Sequence, residues 1–165
     1  MEYSDELNKL INKTINYDNI LTIVYSSTGG MGGGIRKNIL DLESKTMTIE
    51  NKDWYNSPLN ATEYSVSADD IEQILSYIDK YNFPAWHILE IDPFFISMDA
   101  GDTTLTFETI YENKKDYYTI NFNDNMPTDA RRYFNEFIDI FFDLAKDENI
   151  IREYIKNEEV GSEDE

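Results

Sequence analysis

The sequence predicts an α+β fold: a single domain with an antiparallel meander sheet of about five to seven strands covered by two to three helices. Three observations predict it. The stretch 94–122 reads as three strands with almost no slack between them, and 20–50 reads as a second group of the same kind. The third observation is the stretch 129–146, which places Phe134, Phe137, Ile138, Phe141 and Leu144 on one helical face and so offers the sheet a cover.

In the central group, 94–99 is a short apolar run and Asp99-Ala-Gly-Asp102 is turn chemistry. Residues 103–111 then alternate Leu105, Phe107, Thr109 and Tyr111 against Thr104, Thr106, Glu108 and Ile110. Asn113-Lys-Lys115 turns the chain, and 116–122 repeats the alternation with Tyr118, Ile120 and Phe122 on one face. A strand with one apolar face must bury that face, which is why the helices are needed.

From the beginning of the chain, Ser4 is placed to cap a first helix, with Asp5 and Glu6 in its first turn and Leu7, Leu10, Ile11 and Ile15 as its stripe; the spacing predicts an end near Asn16. Residues 20–27 read as a buried strand, 28–34 as a Gly-rich loop, 35–42 as a second strand and 47–50 as a third. Residues 51–61 read as a loop. Ser67 opens the clearest helix, with Ile71, Ile74, Leu75 and Ile78 following at helical intervals and Phe83-Pro84 stopping it. Residues 85–91 fit a strand or a connector, and Asp92-Pro93 closes them. After the long helix at 129–146, Ile150, Ile151, Tyr154 and Ile155 predict a final helical turn or two. The domain is expected to span 1–157, with an acidic, disordered tail at 158–165.

At 165 residues the chain is the size of one core, and its aromatic share of 14% supplies large buried area. No apolar run approaches the roughly 20 residues that cross a bilayer, and the start lacks secretory-signal character, so a cytoplasmic protein is expected. Its abundant Ile, Asn, Lys and Tyr suggest a low-GC bacterial genome. With no cysteine, disulfides, thiolate metal sites and cysteine nucleophiles are excluded. The formal net charge is −19, of which five charges lie in the tail. Such a field repels nucleic acid and anionic membranes and attracts basic partners.

The only motif-like stretch is 26–34. Gly29 and Gly34 have P-loop spacing, but Ile35 and Arg36 stand where Lys and Ser or Thr are required, and the dinucleotide fingerprint fails for want of a glycine at 35. A hairpin loop using its glycines for positive φ is one reading; an anion or ligand flap built from Gly29, Gly30, Gly32, Gly33 and Gly34 with Arg36 and Lys37 is the other. His87 is the single histidine, which rules out a two-histidine metal site, and it reads as a packed structural residue. Asp92, Asp99 and Asp102 match no calcium loop and read as turn residues. Trp54 and Tyr55 in a polar loop, with Tyr117 on a wet strand face, are the candidates for protein recognition.

No catalytic, cofactor or metal motif is present, so the reading leans against an enzyme. The expected function is a non-catalytic protein-binding module, inhibitor- or immunity-like, docking on a basic partner such as a nuclease-like toxin. No direct binding of nucleic acid or membrane is expected, and the chain is read as a monomer or weak homodimer. The alternative is a small-ligand or anion-binding protein, or an unrecognised enzyme, using the loop 28–34.

Overall fold

In a computed structural model the described residues are 3–29, 33–54, 56–89, 103–122 and 126–156. They form one continuous seven-stranded antiparallel sheet and three α-helices, which is the α+β architecture expected. The strands are β1 (Asn19–Thr28), β2 (Ile35–Asp41), β3 (Thr46–Lys52), β4 (Leu59–Ser65), β5 (Thr103–Tyr111), β6 (Lys114–Asn121) and β7 (Ile150–Lys156). The helices are α1 (Asp5–Ile11), α2 (Ala68–Tyr81) and α3 (Thr128–Phe142), with short 3-10 turns at Phe83–Ile88 and Asp147–Asn149.

The order across the sheet is β6-β5-β1-β2-β3-β4-β7. Strands β1 to β4 run as a meander. The chain then leaves β4 through α2, and the 3-10 turn at 83–88 packs beside β6 at the far edge. The β5–β6 hairpin pairs with the free side of β1, and α3 carries the chain back to β7 beside β4. Helices α2 and α3 therefore cross one face of the sheet in opposite directions: Lys146, just beyond α3, meets Asp70 near the start of α2 at 3.1 Å, while Tyr133 stacks on Tyr81 near its end.

Register places Ile23, Leu40, Met47, Phe107, Leu105 and Ile120 on the covered face, all inaccessible to solvent. Against them pack Phe83, Trp86, Phe134, Phe137 and Phe141, also buried. The alternation that predicts a half-buried strand thus finds its cover in α2, α3 and the turn between α2 and β5. Both serine caps form, with Ser4 Oγ accepting from Leu7 N–H at 3.2 Å and Ser67 Oγ from Asp70 N–H at 3.1 Å.

Several expectations need correction. Residues 150–156 are an edge strand, not helical turns. Their apolar spacing fits a helix, but backbone pairing of Leu59–Lys156 through Tyr64–Ile150 makes them β7. Part of the expected loop at 51–61 is strand, because β4 begins at Leu59. Residues 83–88 form the 3-10 turn. Helix α1 ends at Ile11 rather than Asn16, where the Asn82 side-chain amide donates to the carbonyls of Leu10, Ile11 and Lys13. Helix α3 ends at Phe142 rather than Lys146. The expected strand at 94–99, the aspartates Asp92, Asp99 and Asp102, and the tail 158–165 lie outside the described residues. Among the described residues no helix is long and apolar enough to cross a membrane.

Candidate functional site

The Gly-rich connection closes the β1–β2 hairpin. Gly29 N–H donates to Gly34 O at 2.7 Å and Gly33 takes φ 73°, a conformation glycine adopts without penalty. A Cβ on Gly34 would lie 2.7 Å from Asp53 O, so the loop base is pressed against the β3–β4 connection. Gly30 and Gly32 lie outside the described residues. Arg36 and Lys37 do not converge on this loop. As neighbours in β2 they project to opposite faces, Arg36 over the Phe142 ring at 4.9 Å with its Nε donating to Asn38 Oδ1, and Lys37 in register with Glu50 on the other face.

Trp54 and Tyr117 are both exposed, at 52% and 59%, but the structure does not bring them together. Trp54 sits in the β3–β4 connection, where its N–H donates to Ser57 Oγ at 2.9 Å and its carbonyl accepts from the same hydroxyl at 2.7 Å. Tyr117 lies on β6, with β5, β1 and β2 intervening before β3. Its hydroxyl donates to Glu108 Oε2 at 3.2 Å; Glu108 also accepts from Thr22 Oγ1 at 3.0 Å and pairs with Lys115 at 3.5 Å. Tyr55 lies outside the described residues.

The face opposite the helices carries no helix among the described residues. One register row crosses all seven strands there: Thr119, Thr106, Val24, Ile39, Thr48, Glu63 and Arg152. Its charges are paired, Arg152 Nε with Glu63 Oε1 at 2.9 Å and, one row along, Lys156 Nζ with the buried Glu50 at 2.8 Å. That hydrogen bond and the Glu50 charge raise the pKa of Lys156.

Charge is therefore segregated between the layers. The seven strands hold seven basic and six acidic side chains, whereas the three helices hold nine acidic and four basic. Asp69, Glu72 and Asp79 of α2 and Glu136 and Asp139 of α3 are all exposed. Glu136 accepts from Tyr77 OH at 2.6 Å across the α2–α3 seam, and burial together with that bond pushes the Tyr77 pKa upward.

A cavity of about 700 Å³ lies at the β6 edge, lined among others by Asn16, His87, Lys114, Asp116 and Tyr118. His87 packs its ring 5.1 Å from that of Tyr118 and donates from Nδ1 to Pro84 O at 2.9 Å, the only polarity a carbonyl permits, which leaves Nε2 for other partners. Burial first, then the charge and hydrogen bond of Asp116, raise the Tyr118 pKa, so this phenol stays neutral at physiological pH. Among the described residues no group of three His, Cys, Asp or Glu is placed to hold a metal ion.

Sequence reasoning missed the exposed isoleucines of β7, Ile151 at 51% and Ile155 at 61%. Arg152-Glu-Tyr-Ile-Lys156 does not alternate polar with apolar, so no strand signal in the chain marks them. No protein-family model matches the chain, and a search of the curated proteins finds no relative.

Proposed function

We propose that this chain is a non-catalytic protein-binding module, inhibitor- or immunity-like, that engages a basic partner protein in the cytoplasm of a bacterium. The observation that supports it is the charge segregation. Seven cations lie on the sheet, where Lys115, Arg152 and Lys156 are paired with sheet carboxylates, and the helix layer presents exposed carboxylates on both α2 and α3. A net negative field of this kind accelerates encounter with a basic surface and weakens as salt rises, the Debye length being about 8 Å at physiological ionic strength.

The test is capture from lysate at low salt on the immobilised chain and on a variant with Asp69→Asn, Glu72→Gln, Asp79→Asn and Asp139→Asn. The reading expects one stoichiometric basic protein, eluted by salt and retained less by the variant. Equal retention on both columns, or none on either, counts against it.

A second reading, small-ligand binding, is favoured by the cavity beside His87, whose volume is in the range of ligand sites. Thermal unfolding with nucleotides, phosphosugars and carboxylates checks it. A ligand present at 100 times its dissociation constant adds about 2.7 kcal/mol of stability, and an unmoved midpoint across the panel removes the reading.

A further inference from the structure

We propose that the outer edge of β7 receives an extended segment of a basic partner protein, which joins the sheet as an eighth strand. This rests on the protein-binding reading above and adds to it the docking surface and its mode.

An edge strand pairs only one of its two rows of backbone N–H and C=O groups; the other is a template for a further strand. The two edges of this sheet are treated differently by the sequence. Strand β6 carries Lys114, Lys115 and Asp116 in succession, all exposed, and charges on an edge suppress pairing. Strand β7 instead exposes Ile150, Ile151 and Ile155. Its two cations do not guard the rim, because Arg152 is drawn inward to Glu63 on β4 and Lys156 to Glu50 on β3.

The charge around β7 decides between a second copy and a different partner. Asp147, Glu148 and Glu153 stand in and beside this strand against those two paired cations, and the sequence beyond 157 adds five further carboxylates. A two-fold seam between copies would double that charge, and the register that sets Ile151 opposite Ile155 also sets Glu153 opposite Glu153, a like-charge pair that destabilises. A basic strand meets the same surroundings as attraction. The bulge between Glu63 and Tyr64 leaves Ile151 out of the ladder, so the regular part of the edge is 152–156. Glu153 and Ile155 share the helix-covered face through their pairing with Thr62 and Asn60. The incoming strand is therefore best matched by a basic side chain beside Glu153 and an apolar one beside Ile155.

The probe is a nine-residue peptide with threonine at every second position and lysine and isoleucine taking turns at the positions between, so that a single face presents both, titrated into the full chain and followed by calorimetry. It should bind, more weakly as salt rises, and lose about tenfold in affinity, equivalent to 1.4 kcal/mol, in the variant Ile151→Thr with Ile155→Thr. The variant's urea midpoint and circular dichroism establish that it is folded. N-methylation of alternate peptide amides should abolish binding, since strand addition needs those donors. Equal binding of the methylated peptide, or of the peptide to the folded variant, overturns strand addition while leaving a charge-led partner reading standing. Absence of binding by the unmodified peptide overturns it as well. Concentration-dependent sedimentation of the chain alone, removed by the same two substitutions, overturns it in favour of a second copy.

Discussion

Ser4 and Asp129, 125 residues apart in sequence, are joined by two hydrogen bonds: Ser4 N–H donates to Asp129 Oδ2 at 2.7 Å and Ser4 Oγ donates to Oδ1 at 2.9 Å. Ser4 also caps α1, and Asp129 accepts from Ala130 N–H in the first turn of α3. One carboxylate therefore binds two helix N-termini together, where the dipoles of both favour its negative charge.

Burial works against the Asp129 charge, but the donors of Ser4 and Ala130 outweigh it and hold the carboxyl below its ordinary pKa. A depressed folded value means that the contribution is present above the unfolded carboxyl pKa of about 3.9 and is lost as pH falls through the folded value. Asp129→Asn should cost on the order of 1–2 kcal/mol at pH 7. Urea titrations of both proteins should show the gap closing below about pH 4. A gap independent of pH would show that the charge plays no part.

Asn82 does two jobs. It ends α2 in the left-handed region, with φ 55° and ψ 48°, and its amide serves three carbonyls at the end of α1. Asn82→Gly keeps the backbone geometry and loses the amide, so it should cost about 1 kcal/mol. Asn82→Ala loses both and should cost roughly 1 kcal/mol more. Equal urea midpoints for the two variants would remove the conformational half of this account.

Gly29 and Gly34 should respond differently to alanine. The added methyl at Gly29 meets nothing nearer than 3.4 Å, whereas at Gly34 it stands 2.7 Å from Asp53 O and 3.2 Å from Lys52 O, both backbone atoms. Gly34→Ala is expected to destabilise by about 1–3 kcal/mol and Gly29→Ala by much less, measured by thermal or urea unfolding. Similar losses at both sites would mean that loop entropy, not the close approach, governs.

Trp54→Ala should leave stability within about 0.5 kcal/mol, since the indole is half exposed. If Trp54 anchors a partner, the same change should weaken binding about tenfold or more. An unfolding midpoint that drops steeply would place the indole among the structural residues. Trp86→Ala makes the contrast: fully buried, with Nε1 donating to Tyr81 O at 2.9 Å, it should cost about 3–5 kcal/mol.

The elements legible in the chain are those whose local and tertiary preferences agree. Ser4 and Ser67 cap because a side-chain oxygen at that position satisfies its own helix. The alternation through Ile23, Leu105, Phe107 and Ile120 marks a buried face wherever those strands end up. The acidity was legible too, as a total. How that charge is distributed follows from the fold, because it depends on which cations reach carboxylates on neighbouring strands, as Lys156 reaches Glu50 from 106 residues away. The same holds for β4 and β7. Neither has a strong apolar alternation, and Ile150, Ile151, Tyr154 and Ile155 suit a helix as well as a strand. Their state is set by pairing with each other across about 90 residues of chain, and strand preference is largely a property of such neighbours rather than of the residues alone.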